Sequence, residues 1–224
     1  MSYNPDIHHR RSIRLRNYDY TRAGAYFVTI CVQHRECLFG GITNGVMRLN
    51  DAGRMTEKWF AELENKFHEI ECDEFVCMPN HVHFIVVNVG ADLRVRPDIP
   101  RVRVRPPNMQ PSRQVQPGQT HRSAPTGTSL SDVVQWFKTM TTNEYIRGVK
   151  QNGWQPFPGK LWQRNYWDHV IRNETELYRI RQYIRNNPSR WQEDALHPDQ
   201  PPFPGETREP SPAYGHESYE VWMV

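Results

Sequence analysis

Two histidines one residue apart, His81 and His83, sit inside an apolar stretch that reads CMPNHVHFIVV from Cys77 to Val87. Its tail is β-branched and aromatic, the composition of a strand. Successive strand side chains point to opposite faces, so the two imidazoles share one face and Val82 lies on the other. Backbones roughly 6.5–7 Å apart let both rings converge on one ion at about 2.1 Å. The pair is a candidate chelate, and equally a pair of polar residues on the wet face of a half-buried strand. A second candidate lies in ELYRIRQYIRNNP, where Tyr183 and Asn187 are four apart and project from one flank of a helix. Leu177, Ile180 and Ile184 form the core stripe of that helix. A phenol on a helix is ordinarily a packing residue. As a nucleophile it needs a metal or cations nearby to activate the phosphate it attacks. Arg179, Arg181 and Arg185 would supply that field, or simply solvate an exposed face.

Six elements must position these groups. Ala25 to Val32 is an apolar, β-branched run and reads as a strand. Met55 to Phe67 carries Trp59, Phe60, Leu63 and Phe67 at helical spacing, with Asn50 and Asp51 as caps. Phe75 to Val87 is the histidine strand, broken near Met78-Pro79-Asn80. Ser129 and Asp132 have capping-box spacing and open a helix whose stripe is Val133, Trp136, Phe137 and Met140. Tyr166 to Ile171 reads as a strand, and Asn173 and Glu176 cap a helix that Pro188 ends beyond Asn187. The order strand, helix, strand, helix, strand, helix predicts an α+β fold, a ferredoxin-like antiparallel sheet with helices packed on one face.

The 224-residue chain suits one or two small domains, and its 18 prolines with a mean hydropathy of -0.80 leave part of it outside any core. Residues 88–128 hold seven arginines against Asp92 and Asp98, with no apolar period. They read as a disordered or extended Arg/Pro-rich insertion, either solvated or holding phosphates. Residues 192–224 hold Glu193, Asp194, Asp199, Glu206, Glu209, Glu217 and Glu220 against Arg208, and read as an acidic tail. The catalytic domain is then expected over 1–87 and 129–191. No apolar run reaches the ~18–20 residues of a membrane span, and MSYNPDIHHRRSIRLRNYDY lacks the apolar core of a signal peptide. Cys31, Cys37, Cys72 and Cys77 form no CxxC pair, so neither a zinc ribbon nor a disulfide framework is indicated. A cytoplasmic, nucleoid-associated protein is the expectation.

Four stretches together resemble the REP-associated tyrosine transposases, within the HUH single-tyrosine superfamily: RRSIRLRNYDYTRAGAYFVTICV, MPNHVHFIVV, LWQRNYWDHVIRN and ELYRIRQYIRNNPSRW. The resemblance implies that His81 and His83 hold a divalent ion, Mg²⁺ or Mn²⁺, on the scissile phosphate. Asn187 would complete the metal site where related transposases carry a glutamine. Tyr183 would be the nucleophile, making a 5′-phosphotyrosine link to single-stranded DNA and freeing a 3′-hydroxyl. The partners it implies are REP-like DNA hairpins, taken up by a monomer or a homodimer. Arg11, Arg14, Arg179, Arg181 and Arg185 would touch the DNA, and His169 and Tyr166 could support the site, Tyr166 also as a second candidate nucleophile. Two imidazoles and an amide, with no carboxylate, lean toward tolerance of Mn²⁺. Two rival readings stand beside this one: a zinc-dependent hydrolase or zinc site built on Cys77, His81 and His83, and a hairpin-binding protein without catalysis.

Overall fold

The computed structural model describes residues 18–90 and 127–200. Arg11, Arg14 and nearly all of the expected 88–128 insertion lie outside the described residues, as does the chain beyond 200. The described elements run β1 (Gly24–Cys31), β2 (Gly40–Thr43), β3 (Val46–Leu49), α1 (Asp51–Ala61), α2 (Leu63–Lys66), β4 (Ile70–Cys77), β5 (His81–Asn88), α3 (Leu130–Asn152), β6 (Trp167–Ile171) and α4 (Glu174–Asn186). The main sheet has the order β4-β5-β1-β6 with every neighbouring pair antiparallel. That is the strand order of a ferredoxin-like fold, with α1 and α3 in the two crossovers.

Both crossover helices cover one face. Tyr26, Val28 and Ile30 of β1 and Val82, Phe84 and Val86 of β5 point there, and they meet Met55, Phe60, Val133 and Phe137. The expectation that all helices share this face is corrected by α4. Leu177, Ile180 and Ile184 of α4 pack on the opposite face, against Phe27, Ile85, Trp167 and Ile171. The physical reason lies in β1 and β5, whose residues are apolar at both parities. A strand apolar on both sides must be covered on both sides.

Several boundaries move. Helix α1 starts four residues before Met55, because the Asn50 side chain accepts a 2.8 Å hydrogen bond from the Gly53 amide. The Ser129–Asp132 capping box forms as expected, but α3 runs on to Asn152 and ends on Gly153 in the left-handed conformation. The histidine strand is two strands, β4 and β5, folded back at Met78–Asn80 and closed by the Met78 amide donating to the His81 carbonyl at 2.8 Å. A register shift between Cys72 and Phe75 interrupts β4 at Asp73 and Glu74. The small β2–β3 hairpin turns at Asn44 and Gly45, both at positive φ, as a tight two-residue hairpin turn requires.

The expected tail begins too early. A 3-10 turn over Pro188–Glu193 folds back on the body, and Trp191, Asp194, Leu196 and His197 are buried. Residues 192–200 therefore belong to the folded unit, because burying Trp191 and Leu196 outweighs the polar composition around them.

Candidate metal and nucleophile site

On the α4 face of the sheet, β5 presents His81 and His83, both essentially inaccessible at 0 % and 1 % exposure. Their Nε2 atoms face each other at 3.0 Å. A chain of hydrogen bonds fixes the tautomer of His81. Asn80 Nδ2 donates to the carbonyls of Arg35 (3.1 Å) and Leu196 (2.8 Å), which turns its Oδ1 to His81 Nδ1 at 2.8 Å. Nδ1 must therefore carry the proton and donate it, leaving a lone pair on Nε2. His83 Nδ1 lies 2.8 Å from Thr29 Oγ1 on β1, its register partner. Burial, with Arg35 adding to it, pushes the His81 imidazole down to about 3. Burial, then the neighbouring His81, holds His83 well below the ordinary imidazole range, against an opposing pull from Asp194. Both rings are neutral at physiological pH, the protonation state a metal ligand needs.

Helix α4 delivers the tyrosine. Its hydroxyl lies 3.3 Å from His83 Nε2, where both imidazoles aim. The Tyr183 ring is held edge-on to Phe27 at 6.0 Å, and Phe27 in turn stacks on His83 at 5.4 Å. Asn187 follows one turn later at the C-cap, 3 % exposed, with Oδ1 buried and without a hydrogen-bond partner among the described residues. A buried carbonyl oxygen left unpaired is costly unless something binds it.

The turn after α4 contributes a group that the sequence reading had assigned to the tail. Asp194 is 6 % exposed, and its Oδ2 lies 3.8 Å from His81 Nε2. One donor atom from each of His81, His83 and Asp194 lies within 4.8 Å of the others. Its second oxygen accepts from the Leu196 amide at 2.7 Å, which orients the carboxylate. Trp191 closes the site from the same side, with its ring 6.0 Å from that of His81. The donor set fits a divalent ion: two neutral imidazoles whose Nε2 atoms face each other, a buried carboxylate and a buried amide oxygen. A buried carboxylate thus stands beside the histidine pair, where a site without one was expected. Thr29, Asn80 and Asp194 were all missed. Asn80 and Thr29 carried a signal, since one precedes the HVH motif and the other sits in the adjacent apolar strand; Asp194 carried none.

Other expected site residues stand elsewhere. Arg181 Nε donates to Asp73 at 2.8 Å and Arg185 Nε to Glu74 at 2.9 Å, so the interrupted segment of β4 pairs with two of the helix's cations. Arg179 is exposed on the same helix. His169 pairs with Glu176 at 2.7 Å and stacks parallel to Trp167. Burial raises the Glu176 carboxyl, but the Arg172 amide and His169 outweigh it, so the group stays below its usual range. Tyr166 precedes β6 and packs with the core of the opposite face. Cys77 also belongs to that opposite core, and burial raises its thiol. A zinc site on Cys77, His81 and His83 is thereby excluded.

No known family model matches the chain. A Haemophilus influenzae protein described only as uncharacterized is 36 % identical over 197 residues, spanning 88 % of this chain and 98 % of that protein. A solved REP-associated tyrosine transposase bound to a REP hairpin covers 78 % of this chain and 72 % of its own, at 18 % identity and a TM-score of 0.46. A transposase candidate from Deinococcus radiodurans R1 covers 77 % and 95 %, at 16 % identity and a TM-score of 0.37. The chain belongs to one family with the Haemophilus influenzae protein.

Proposed function

We propose that the protein is a metal-dependent single-strand DNA endonuclease and strand transferase that cuts and rejoins hairpin-bearing DNA through Tyr183. The observation that carries this reading is the Tyr183 hydroxyl 3.3 Å from His83 Nε2, on the face that His83 shares with His81. In the reaction, the Tyr183 oxygen attacks the scissile phosphorus and loses its phenolic proton. The tyrosyl O–P bond forms, the bond to the 3′-oxygen breaks, and that oxygen leaves as a 3′-hydroxyl after taking up a proton. Attack by a 3′-hydroxyl on the phosphotyrosine reverses these bond changes, so joining needs no nucleotide triphosphate. A bound divalent ion, Mn²⁺ or Mg²⁺, would polarise the scissile phosphate and stabilise the charge developing on it. His81, His83 and Asp194 would hold that ion, with Asn187 Oδ1 supplying a further oxygen. Phe27 and the body of α4 hold the phenol in one orientation, which limits the entropy lost on reaching the attack geometry.

The experiment is direct. Full-length protein with Mn²⁺ and a hairpin oligonucleotide carrying a single-stranded flank should give a covalent adduct that survives denaturing gels. The label should be retained only on the fragment 3′ of the cut. Tyr183→Phe should bind the hairpin without forming the adduct, whereas Tyr166→Phe should keep most of it. An adduct of normal yield from Tyr183→Phe would sink the assignment, and hairpin binding with no adduct from any version would favour a protein that binds without cutting.

A further inference from the structure

We infer that the cleft between α3 and the 159–166 segment binds the sugar–phosphate backbone of a single DNA strand leading away from the cut, an assignment that rests on the DNA-cleaving reading above. The cleft has a volume of about 700 Å³ and is walled by Lys138, Thr139 and Asn143 of α3 and by Lys160, Arg164 and Tyr166 of the facing segment. Among the described residues, three cations line it and no carboxylate does. Such a surface attracts anions and repels acidic chains in proportion to its uncompensated charge. Thr139 and Asn143 add neutral donors suited to phosphate and sugar oxygens, the contacts that position a strand without reading its sequence.

The far wall is held in place. Lys138 Nζ donates to the carbonyls of Gln163 (2.9 Å), Arg164 (3.3 Å) and Asn165 (3.0 Å), and lies 5.6 Å from the centre of the Tyr166 ring. Trp162 anchors the same segment through Nε1, which donates to Thr141 Oγ1 at 2.8 Å. Lys138 is thus spent on architecture. Lys160 and Arg164 are exposed, and neither forms an ion pair with a carboxylate among the described residues.

Position links the cleft to the reaction. The Gln163 amide donates to the Cys31 carbonyl at 2.9 Å, and Trp162 bridges to Val32. Cys31 is the register partner of His81. The cleft therefore reaches the end of the sheet that carries the histidine pair, while lying on the α3 side. A strand cut at Tyr183 can pass that end and continue into it.

The test uses the full chain carrying Tyr183→Phe, so that binding is read without cleavage, and two probes: a blunt DNA hairpin and the same hairpin with a single-stranded flank. Adding Lys160→Glu and Arg164→Glu should weaken binding of the flanked hairpin by about 10–100-fold at moderate salt and leave the blunt one nearly unchanged. The milder pair Lys160→Gln and Arg164→Gln should lower the salt slope for the flanked probe by about 1.4, and it decides the matter if the glutamate pair melts early. An unchanged affinity and slope, or an equal loss on the blunt hairpin, overturns the inference. Flank-specific loss in a protein that forms no adduct would uphold the cleft and reject cleavage. Adduct formation by the Tyr183-bearing protein, with charge variants that bind the flank normally, would do the reverse.

Discussion

The two faces of the central sheet are built from alternate residues of the same strands, and they do different work. Toward α1 and α3, β1 and β5 present Tyr26, Val28, Ile30, Val82, Phe84 and Val86, locked by ring contacts such as Phe60–Phe75 at 4.8 Å and Phe84–Phe137 at 5.8 Å. Toward α4, the same strands are apolar at Ala25, Phe27, Ile85 and Val87. Beyond these come Thr29, His81 and His83, 0–1 % exposed yet polar. Each neutral imidazole kept there gives up hydrophobic stabilisation and must find hydrogen bonds instead. Stability is concentrated on the first face and chemistry on the second.

The largest effects should separate the faces cleanly. Tyr183→Phe should cut adduct formation by roughly 10⁴-fold or more, as loss of a nucleophile does elsewhere, while costing at most about 1 kcal/mol of stability. His81→Ala and His83→Ala should abolish cleavage in the same assay. Phe84→Ala should do the opposite. It would remove a ring that is 0 % exposed between Phe60 and Phe137, at about 3–5 kcal/mol in denaturant melts, and leave the α4 face chemically intact in whatever fraction stays folded. A Tyr183→Phe variant that melts as badly as Phe84→Ala would break the comparison.

The next effect concerns pH. The folded protein keeps His81 neutral with its value near 3, whereas in the unfolded chain it protonates near 6.5. The unfolded state therefore takes up the proton first. The stability tied to neutral His81 is whole above about pH 6.5 and is lost as pH falls toward 3, at up to ~1.4 kcal/mol per unit for one proton. Thermal midpoints of chelator-treated protein, taken between pH 7 and 4, should fall more steeply than those of His81→Gln. Parallel curves would show that the imidazole is not the group being held.

Much of this division was legible in the sequence. The HVH alternation and the 3.6-residue stripe of Leu177, Ile180 and Ile184 are local periodicities, and both placed their residues correctly. The two-sided coverage of the sheet was also written in β1, where the AYFVTIC run is apolar at both parities; a one-faced helix layer could not have covered it. Asn44-Gly45 was a readable hairpin signal with flanks only four residues long. Asp194 was different. It reaches the site because Trp191 and Leu196 bury themselves after Pro188, and no periodicity links those residues to the histidines. The pairing of Arg181 and Arg185 with Asp73 and Glu74 was likewise hidden, because it depends on the interrupted register of β4.

Asp194 offers a sharper test of the second face. If its carboxylate is a ligand, Asp194→Asn should weaken Mn²⁺ binding in calorimetry at least as much as the roughly 10–100-fold that a ligand's supporting partner is worth. The loss should appear without a matching fall in the metal-free melting temperature. Asn187→Ala, which removes the orphaned oxygen, measures the rival donor on the same scale. Mn²⁺ affinity unchanged by the first and reduced by the second would move the oxygen ligand from the turn back to the helix.

The smallest expected effect lies where α4 is fastened to β4. Arg181 and Asp73 form a half-buried pair, 18 % and 15 % exposed, and Arg185 and Glu74 a more open one. Burial raises the Asp73 carboxyl even with Arg181 bonded to it, so desolvation outweighs the attraction. A carboxyl raised by folding stabilises most below its unfolded value and loses that contribution as pH rises through the folded one. At neutral pH its charge is therefore no asset. Asp73→Asn should change stability by less than about 1 kcal/mol, because the amide still accepts from Arg181 and carries no charge to desolvate. Arg181→Met should cost more, on the order of 2–3 kcal/mol, since it leaves the Asp73 carboxylate buried without its partner. Equal and large losses from both, measured by denaturant unfolding at pH 7, would mean that the ion pair itself holds α4 in place. In that event the small apolar cluster of Leu177, Ile180 and Ile184 would be too weak to position Tyr183 alone.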